Sequence, residues 1–168
     1  MVTISAQLVE ETWRRIDDCG PDQGPEMVGH YSKSQPNIFE FMVEFTREIQ
    51  PESTEFALYM SYVIWQVFDA AYGKAYPVIL PEEIIAAYET NEVWVQQHDG
   101  LDDIQLYERL EADTHLRQVN LVISVLDALF APMGSEDPDE INIPEEDKGY
   151  LFLLMKTIID ALDKKIVN

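Results

Sequence analysis

Two helical stripes of polar side chains are the first places where this chain could do chemistry. The six residues are Tyr62, Gln66 and Asp69 on the stretch 56–72, and Tyr88, Asn91 and His98 on the stretch that begins at residue 82. If the two helices face each other, hydroxyl, amide, carboxylate and imidazole groups converge into a pocket adequate for general acid–base work. Buried polar residues that satisfy one another's hydrogen bonds explain the same stripes more simply. We treat the six as pocket candidates and nominate no catalytic residue.

Two carboxylate–histidine pairs could offer ligands to a metal ion. Glu26 and His30 are four residues apart, as are Glu111 and His115, so each pair can share one helix face. Di-metal carboxylate bundles instead use Glu-x-x-His spacing, with further glutamates from other helices. That spacing is missing, and an acidic chain produces such pairs by chance. We interpret both as solvated surface pairs and expect no metal ligand and no cofactor.

A third cluster runs from His98 to Asp103 and combines a histidine with three carboxylates. Oxygen ligands of this kind suit Mg²⁺ or Ca²⁺. Ordinary turn chemistry accounts for the same residues, with Gly100 forming the turn and Asp102 capping the next helix. The second interpretation is preferred.

An acidic loop at about 132–146 is the clearest irregular segment. It supplies four candidate partner-binding residues, Glu136, Asp137, Asp139 and Glu140. Read as a calcium loop, it fails at the sixth position, where the required glycine is replaced by Asn142. A long loop in a compact domain is usually functional or mobile.

The balance of charge restricts the possible partners. Asp and Glu number 32 against 11 Lys and Arg, which gives a net charge of -21. This charge repels a phosphate backbone and an anionic membrane surface, so we expect neither nucleic acid nor membrane binding. Basic proteins, cations and neutral surfaces remain suitable. The simpler alternative is that the charge only keeps the protein soluble.

Little in the chain suggests nucleophilic catalysis. Cys19 is the only cysteine, and Asp17 and Asp18 beside it would raise a thiol pKa rather than activate the sulfur. No serine-hydrolase, zinc-protease or phosphate-loop pattern occurs. The N-terminal residues do not read as a signal peptide, so a cytoplasmic location is expected.

Hydrophobic periodicity predicts helices and no strands. We expect helices at 5–18, 26–34, 37–49, 56–72, 82–97 and 116–130, one beginning after Asp102, and a last one from about 144 to 166. Ser5 is the predicted cap of the first helix, and Pro36 separates the second from the third. The helix over 56–72 has a start signal at 51–53 and a stop signal at Gly73. Two points stay open: a break near Thr90, and whether 102–131 is one helix or two.

The stretch 56–72 is apolar around almost its whole circumference, which is typical of a membrane span or of the centre of a bundle. It is shorter than the roughly 20 apolar residues of a span, and Gln66 and Asp69 interrupt it. We therefore predict an all-α single-domain globular bundle of about six to eight helices around this central helix.

These observations favour a protein-binding or adaptor module that acts on a basic partner. One alternative is a metal-binding or small-ligand-binding bundle, with possible enzymatic activity through His30, His98 or His115. Another is a homo-oligomer that pairs aromatic helix faces.

Overall fold

The computed structural model describes residues 3–73, 76–130 and 143–167. Most of the predicted acidic loop lies outside the described residues, and so do all four of its candidate binding residues, Glu136, Asp137, Asp139 and Glu140. Nothing in the structure therefore bears on that part of the sequence-based prediction.

The described residues form eight α-helices and a short 3₁₀ turn at Pro21–Gln23, without a strand. The helices are α1 (Ala6–Asp17), α2 (Gly24–Ser34), α3 (Pro36–Phe45), α4 (Pro51–Tyr72), α5 (Pro81–Gln97), α6 (Asp103–Ala112), α7 (Val119–Phe130) and α8 (Glu145–Val167). The predicted all-α fold class is confirmed. None of the helices in these ranges is long and apolar enough to cross a membrane.

Local signals account for most helix boundaries. The Ser5 hydroxyl accepts a hydrogen bond from the Leu8 amide at 3.2 Å, so Ser5 caps α1 as predicted. Gly73 ends α4 with a φ of 99°, a backbone conformation that glycine adopts without steric cost. The stretch 102–131 contains two helices, because Asp113 is extended between α6 and α7. No break occurs near Thr90, since α5 is continuous.

Two predicted boundaries lie three or more residues from the observed ones: the start of α7, which is Val119 instead of residue 116, and the end of α3. Helix α3 ends at Phe45 instead of residue 49, because the Thr46 hydroxyl binds the Met42 carbonyl at 2.6 Å and turns follow. Helix α4 begins at the predicted start signal, with Pro51 in its first turn, where proline is well tolerated. Its early polar residue Ser53 is buried and donates to the Asp147 carboxylate at 2.6 Å.

The core centres on two helices, whereas the sequence suggested one. Helix α8 packs against α4, α5 and α7, and residues 151–159 are all buried. Helix α4, the predicted central helix, packs against α8, α1 and α3 and is buried at 60–61 and 63–68. A run of nine consecutive buried residues means that the middle of α8 is covered on every side.

We expect Leu154→Ala to lower the free energy of unfolding by about 3 kcal/mol, because it opens a cavity beside a fully buried position of α8. Ile104→Ala is the matched control, since Ile104 is 72% exposed and its change should stay within about 0.5 kcal/mol. Urea unfolding followed by circular dichroism measures both. Equal losses for the two variants would contradict the central position of α8.

Candidate functional site

The two predicted polar stripes lie against different neighbours. On α4, the Tyr62 ring contacts Tyr31 at 5.9 Å, and the Gln66 side-chain oxygen accepts from Arg15 at 3.4 Å. These contacts direct the α4 stripe towards α2 and α1. Asp69 is half-buried further along the same helix. On α5, Tyr88 contacts α3 side chains and Asn91 contacts α8, so the structure does not gather the six candidates into one pocket.

Asn91 belongs to a buried polar network that joins α5 to α8. Its side-chain oxygen accepts from Lys156 Nζ at 2.8 Å, and its nitrogen donates to Asp160 at 2.9 Å. Lys156 also pairs with Asp160 at 2.9 Å and lies 5.1 Å from the centre of the Trp94 ring. His98 stacks on Trp94 with a centroid distance of 4.0 Å. Since each polar partner is satisfied, this network reads as a structural tie between helices.

A groove along α3 is the best candidate for a functional site. At the α8 end it encloses about 730 Å³ and is lined by Glu44, Phe45, Arg47, Glu48, Ile49, Glu146, Asp147 and Tyr150. At the α5 end it encloses about 320 Å³ and is lined by Asn37, Glu40, Phe41, Glu44, Phe45, Pro81, Ile84 and Ile85. The two parts adjoin along α3, because Glu44 and Phe45 line both of them. We call them together the α3 groove.

Aromatic rings form the floor of the α3 groove. Phe41 and Phe45 are four residues apart on α3, and their ring centroids lie 4.2 Å apart. The Tyr88 ring, which does not itself line the groove, supports Phe45 by an edge-to-face contact at 5.0 Å. The Tyr150 hydroxyl donates to the Phe45 carbonyl at 2.6 Å, which ties the start of α8 to the end of α3. These contacts hold the floor rigid.

Carboxylates surround this floor. Glu44 pairs with the neighbouring Arg47 at 2.6 Å, with both side chains largely exposed. Among the described residues, Glu40, Glu48 and Glu146 have no hydrogen-bond or ion-pair partner. The rim therefore carries four glutamates, of which only Glu44 is paired, and a single arginine. Its net charge is negative.

The pKa values of two tyrosines near the groove are raised, mainly by burial and in addition by nearby carboxylates. Burial raises the pKa of Tyr150 to about 12, with further contributions from Tyr88 and from the Glu48 and Glu92 carboxylates. Burial also raises the pKa of Tyr88, again assisted by Glu92. Glu92 of α5 lies near these tyrosines but lines neither part of the α3 groove. Asp147 lines the groove but is buried and bound by Ser53, so it serves to anchor α8.

The remaining sequence candidates have local partners. His30 packs its ring 5.1 Å from Trp65, and the Asp102 carboxylate accepts from the Gln105 amide at 2.8 Å as a helix cap. Gly100 has a φ of 84°, in keeping with the predicted turn. Within residues 3–73, 76–130 and 143–167, no three His, Cys, Asp or Glu side chains are grouped for holding a metal ion.

Sequence reasoning missed most of the α3 groove. Phe41, Phe45 and Ile49 repeat at helical spacing, which is typical of a core face, but only Phe41 is buried and the other two are half-buried. No sequence motif or periodicity marked Glu48 or Tyr150 as part of a site. The available signal was the alternation of Glu40 and Glu44 with Phe41 and Phe45, which places acidic and aromatic groups side by side on one short helix.

Comparison of the chain with protein-family models, with curated proteins and with solved structures found no match in any of the three. The function is therefore argued from the geometry and charge of the site.

Tyr150→Phe should lower the free energy of unfolding by about 1 kcal/mol at neutral pH, because it removes the hydrogen bond to the Phe45 carbonyl. The tyrosine ionises near pH 10 in the unfolded chain but at about 12 in the folded protein. Its stabilising contribution is thus complete below pH 10 and is lost as the pH rises through about 12. Urea unfolding across this range should show that the free energies of unfolding of the wild type and of Tyr150→Phe become more similar as the pH rises. A difference that stays constant would contradict the assignment.

Proposed function

We propose that this protein is a binding module that holds a basic protein partner in the α3 groove. The observation that carries the proposal is the combination, along one helix, of the acidic rim at Glu40, Glu48 and Glu146 with the aromatic floor at Phe41 and Phe45. Arginine guanidinium groups stack on aromatic rings and pair with carboxylates, and lysine stems pack on apolar surfaces. A partner that presents such residues satisfies both parts of the groove.

The charge of the whole chain supports the same class of partner. A net charge of -21 attracts basic surfaces and repels nucleic acids and anionic membranes. Glu136, Asp137, Asp139 and Glu140 of the predicted acidic loop are part of this proposal as further contacts for the partner. Long-range attraction of this kind raises the association rate and is screened beyond about 8 Å at physiological salt.

The side-chain contacts that hold the groove in shape support its proposed role as a binding site. Phe41, Phe45 and Tyr88 are fixed against one another, and the Tyr150 hydrogen bond holds the groove wall. A preformed floor of this kind loses little conformational entropy when a partner docks. A cytoplasmic location belongs to the proposal as well, since a single cysteine allows no intrachain disulfide.

The test is a pull-down from lysate of the source cell with wild-type protein and a Glu40→Gln/Glu48→Gln variant, at low and high salt; both glutamates are exposed and line the groove. The wild type should retain a stoichiometric basic protein that leaves at high salt, because screening weakens the charge pairs. The variant should bind the retained protein at least about fivefold more weakly when the purified pair is titrated by calorimetry.

Glu108→Gln/Glu111→Gln is the matched control, since it changes the net charge equally on α6, a helix that packs against α7 away from the α3 groove. Its affinity should equal that of the wild type. Equal weakening by the two double variants would show diffuse charge attraction instead of binding in the groove. Binding that does not respond to salt would contradict the electrostatic part of the proposal.

A further inference from the structure

A second concave site lies between α2, α3 and α4. It encloses about 240 Å³, and its walls include Met27, Phe39, Leu58, Tyr59 and Tyr62. Phe39 is two residues from Phe41, so it leaves α3 on the side opposite to the α3 groove. Of the six polar residues singled out in the sequence, only Tyr62 lines this site. We call it the Tyr31 pocket, after the buried ring that forms its back wall.

The aromatic walls of the Tyr31 pocket are held in place by specific contacts. Tyr31 is 2% exposed, and its hydroxyl donates to Ser61 Oγ at 2.9 Å. Phe39 meets Tyr31 at 5.5 Å with an interplanar angle of 86°, and Tyr62 meets it at 5.9 Å and 76°. The Tyr59 hydroxyl donates to Asp17. Phe39 and Tyr62 thus each meet Tyr31 edge to face, a geometry that aromatic pairs favour over a face-to-face stack.

The charge around the pocket is mainly negative. Glu55 lines it, is exposed, and has no hydrogen-bond or ion-pair partner among the described residues. Burial raises the pKa of Tyr62, with opposing influence from Arg15 and additional influence from Glu26 and Asp69. Arg15 is the only cation among these groups, and its guanidinium also donates to Gln66. Anionic ligands are therefore disfavoured at this site.

We propose that the Tyr31 pocket binds a small organic cation with an apolar body, of the alkylated ammonium class. The faces of aromatic rings attract cations, and quaternary ammonium groups are commonly recognised by several rings together. Glu55 at the pocket supplies the countercharge. The volume is below the range of drug-sized sites and suits a compact ligand. This proposal is independent of the α3 groove, which is formed by other side chains and lies on the opposite side of α3.

Choline and its neutral carbon isostere 3,3-dimethylbutan-1-ol are the probes, because they share their shape and differ in the charge. The methyl resonance of Met27, assigned with a Met27→Leu variant, is followed by NMR during titration of each probe. Choline should shift this resonance in a saturable manner and bind at least about fivefold more tightly than the alcohol. No shift with choline, or equal affinity for the two probes, would overturn the proposal.

Glu55→Gln should weaken choline binding roughly threefold and leave alcohol binding unchanged, since only the cation is attracted by the carboxylate. Glu52→Gln is the matched control, being exposed on the same helix outside the pocket. Tyr62→Leu should weaken choline binding by roughly tenfold because one ring is lost. Because Glu55 is exposed, its variant should fold normally and carries the test alone if Tyr62→Leu does not fold. Equal effects of Glu52→Gln and Glu55→Gln would place choline elsewhere and overturn the assignment.

Discussion

The burial of the middle of α8, residues 151–159, on every side is the constraint on which the rest of the structure depends. A buried helix that carries charged residues must satisfy each of them internally, because an unpaired buried charge is strongly destabilising. Lys156, only 6% exposed, is held by Asn91 and Asp160. Asp163 accepts from Gln118 at 2.8 Å and pairs with Arg117. These bonds specify which faces of α5 and of the segment before α7 can meet α8, so the polar residues select the arrangement that apolar packing stabilises.

The position of α8 also creates the α3 groove. The first turn of α8 is anchored to α4 through the bond between Asp147 and Ser53, and to α3 through Tyr150 and the Phe45 carbonyl. Because α3 is short and is followed by turns, its end leaves a depression beside the start of α8. Acidic residues that begin α8, such as Glu146, are favoured there by the helix dipole. Glu146 also belongs to the negative rim. The preference of acidic residues for the start of a helix therefore contributes both to the stability of α8 and to the proposed binding of a basic partner.

Helix α3 separates two concave sites of different character. On one side, Phe41 and Phe45 face a long open groove with several carboxylates, which suits an extended basic surface. On the other side, Phe39 lines a smaller pocket with three tyrosines and one carboxylate, which suits a compact cation. Both sites combine aromatic rings with unpaired acids, and the charge of -21 is shared by both. Their different size and openness decide the different class of ligand proposed for each.

The sequence by itself determined the all-α fold class, most helix boundaries and the sign of the charge. Caps such as Ser5, prolines such as Pro36 and glycines such as Gly73 act over a few residues, so their effects can be predicted locally. Only the tertiary structure decided that Asn91 meets Lys156 instead of the α4 stripe, and that Phe45 meets Tyr150, 105 residues away in the chain. Hydrophobic periodicity shows which face of a helix is buried but does not say which helix covers it. The binding sites formed between helices therefore depend on packing, which no local pattern encodes.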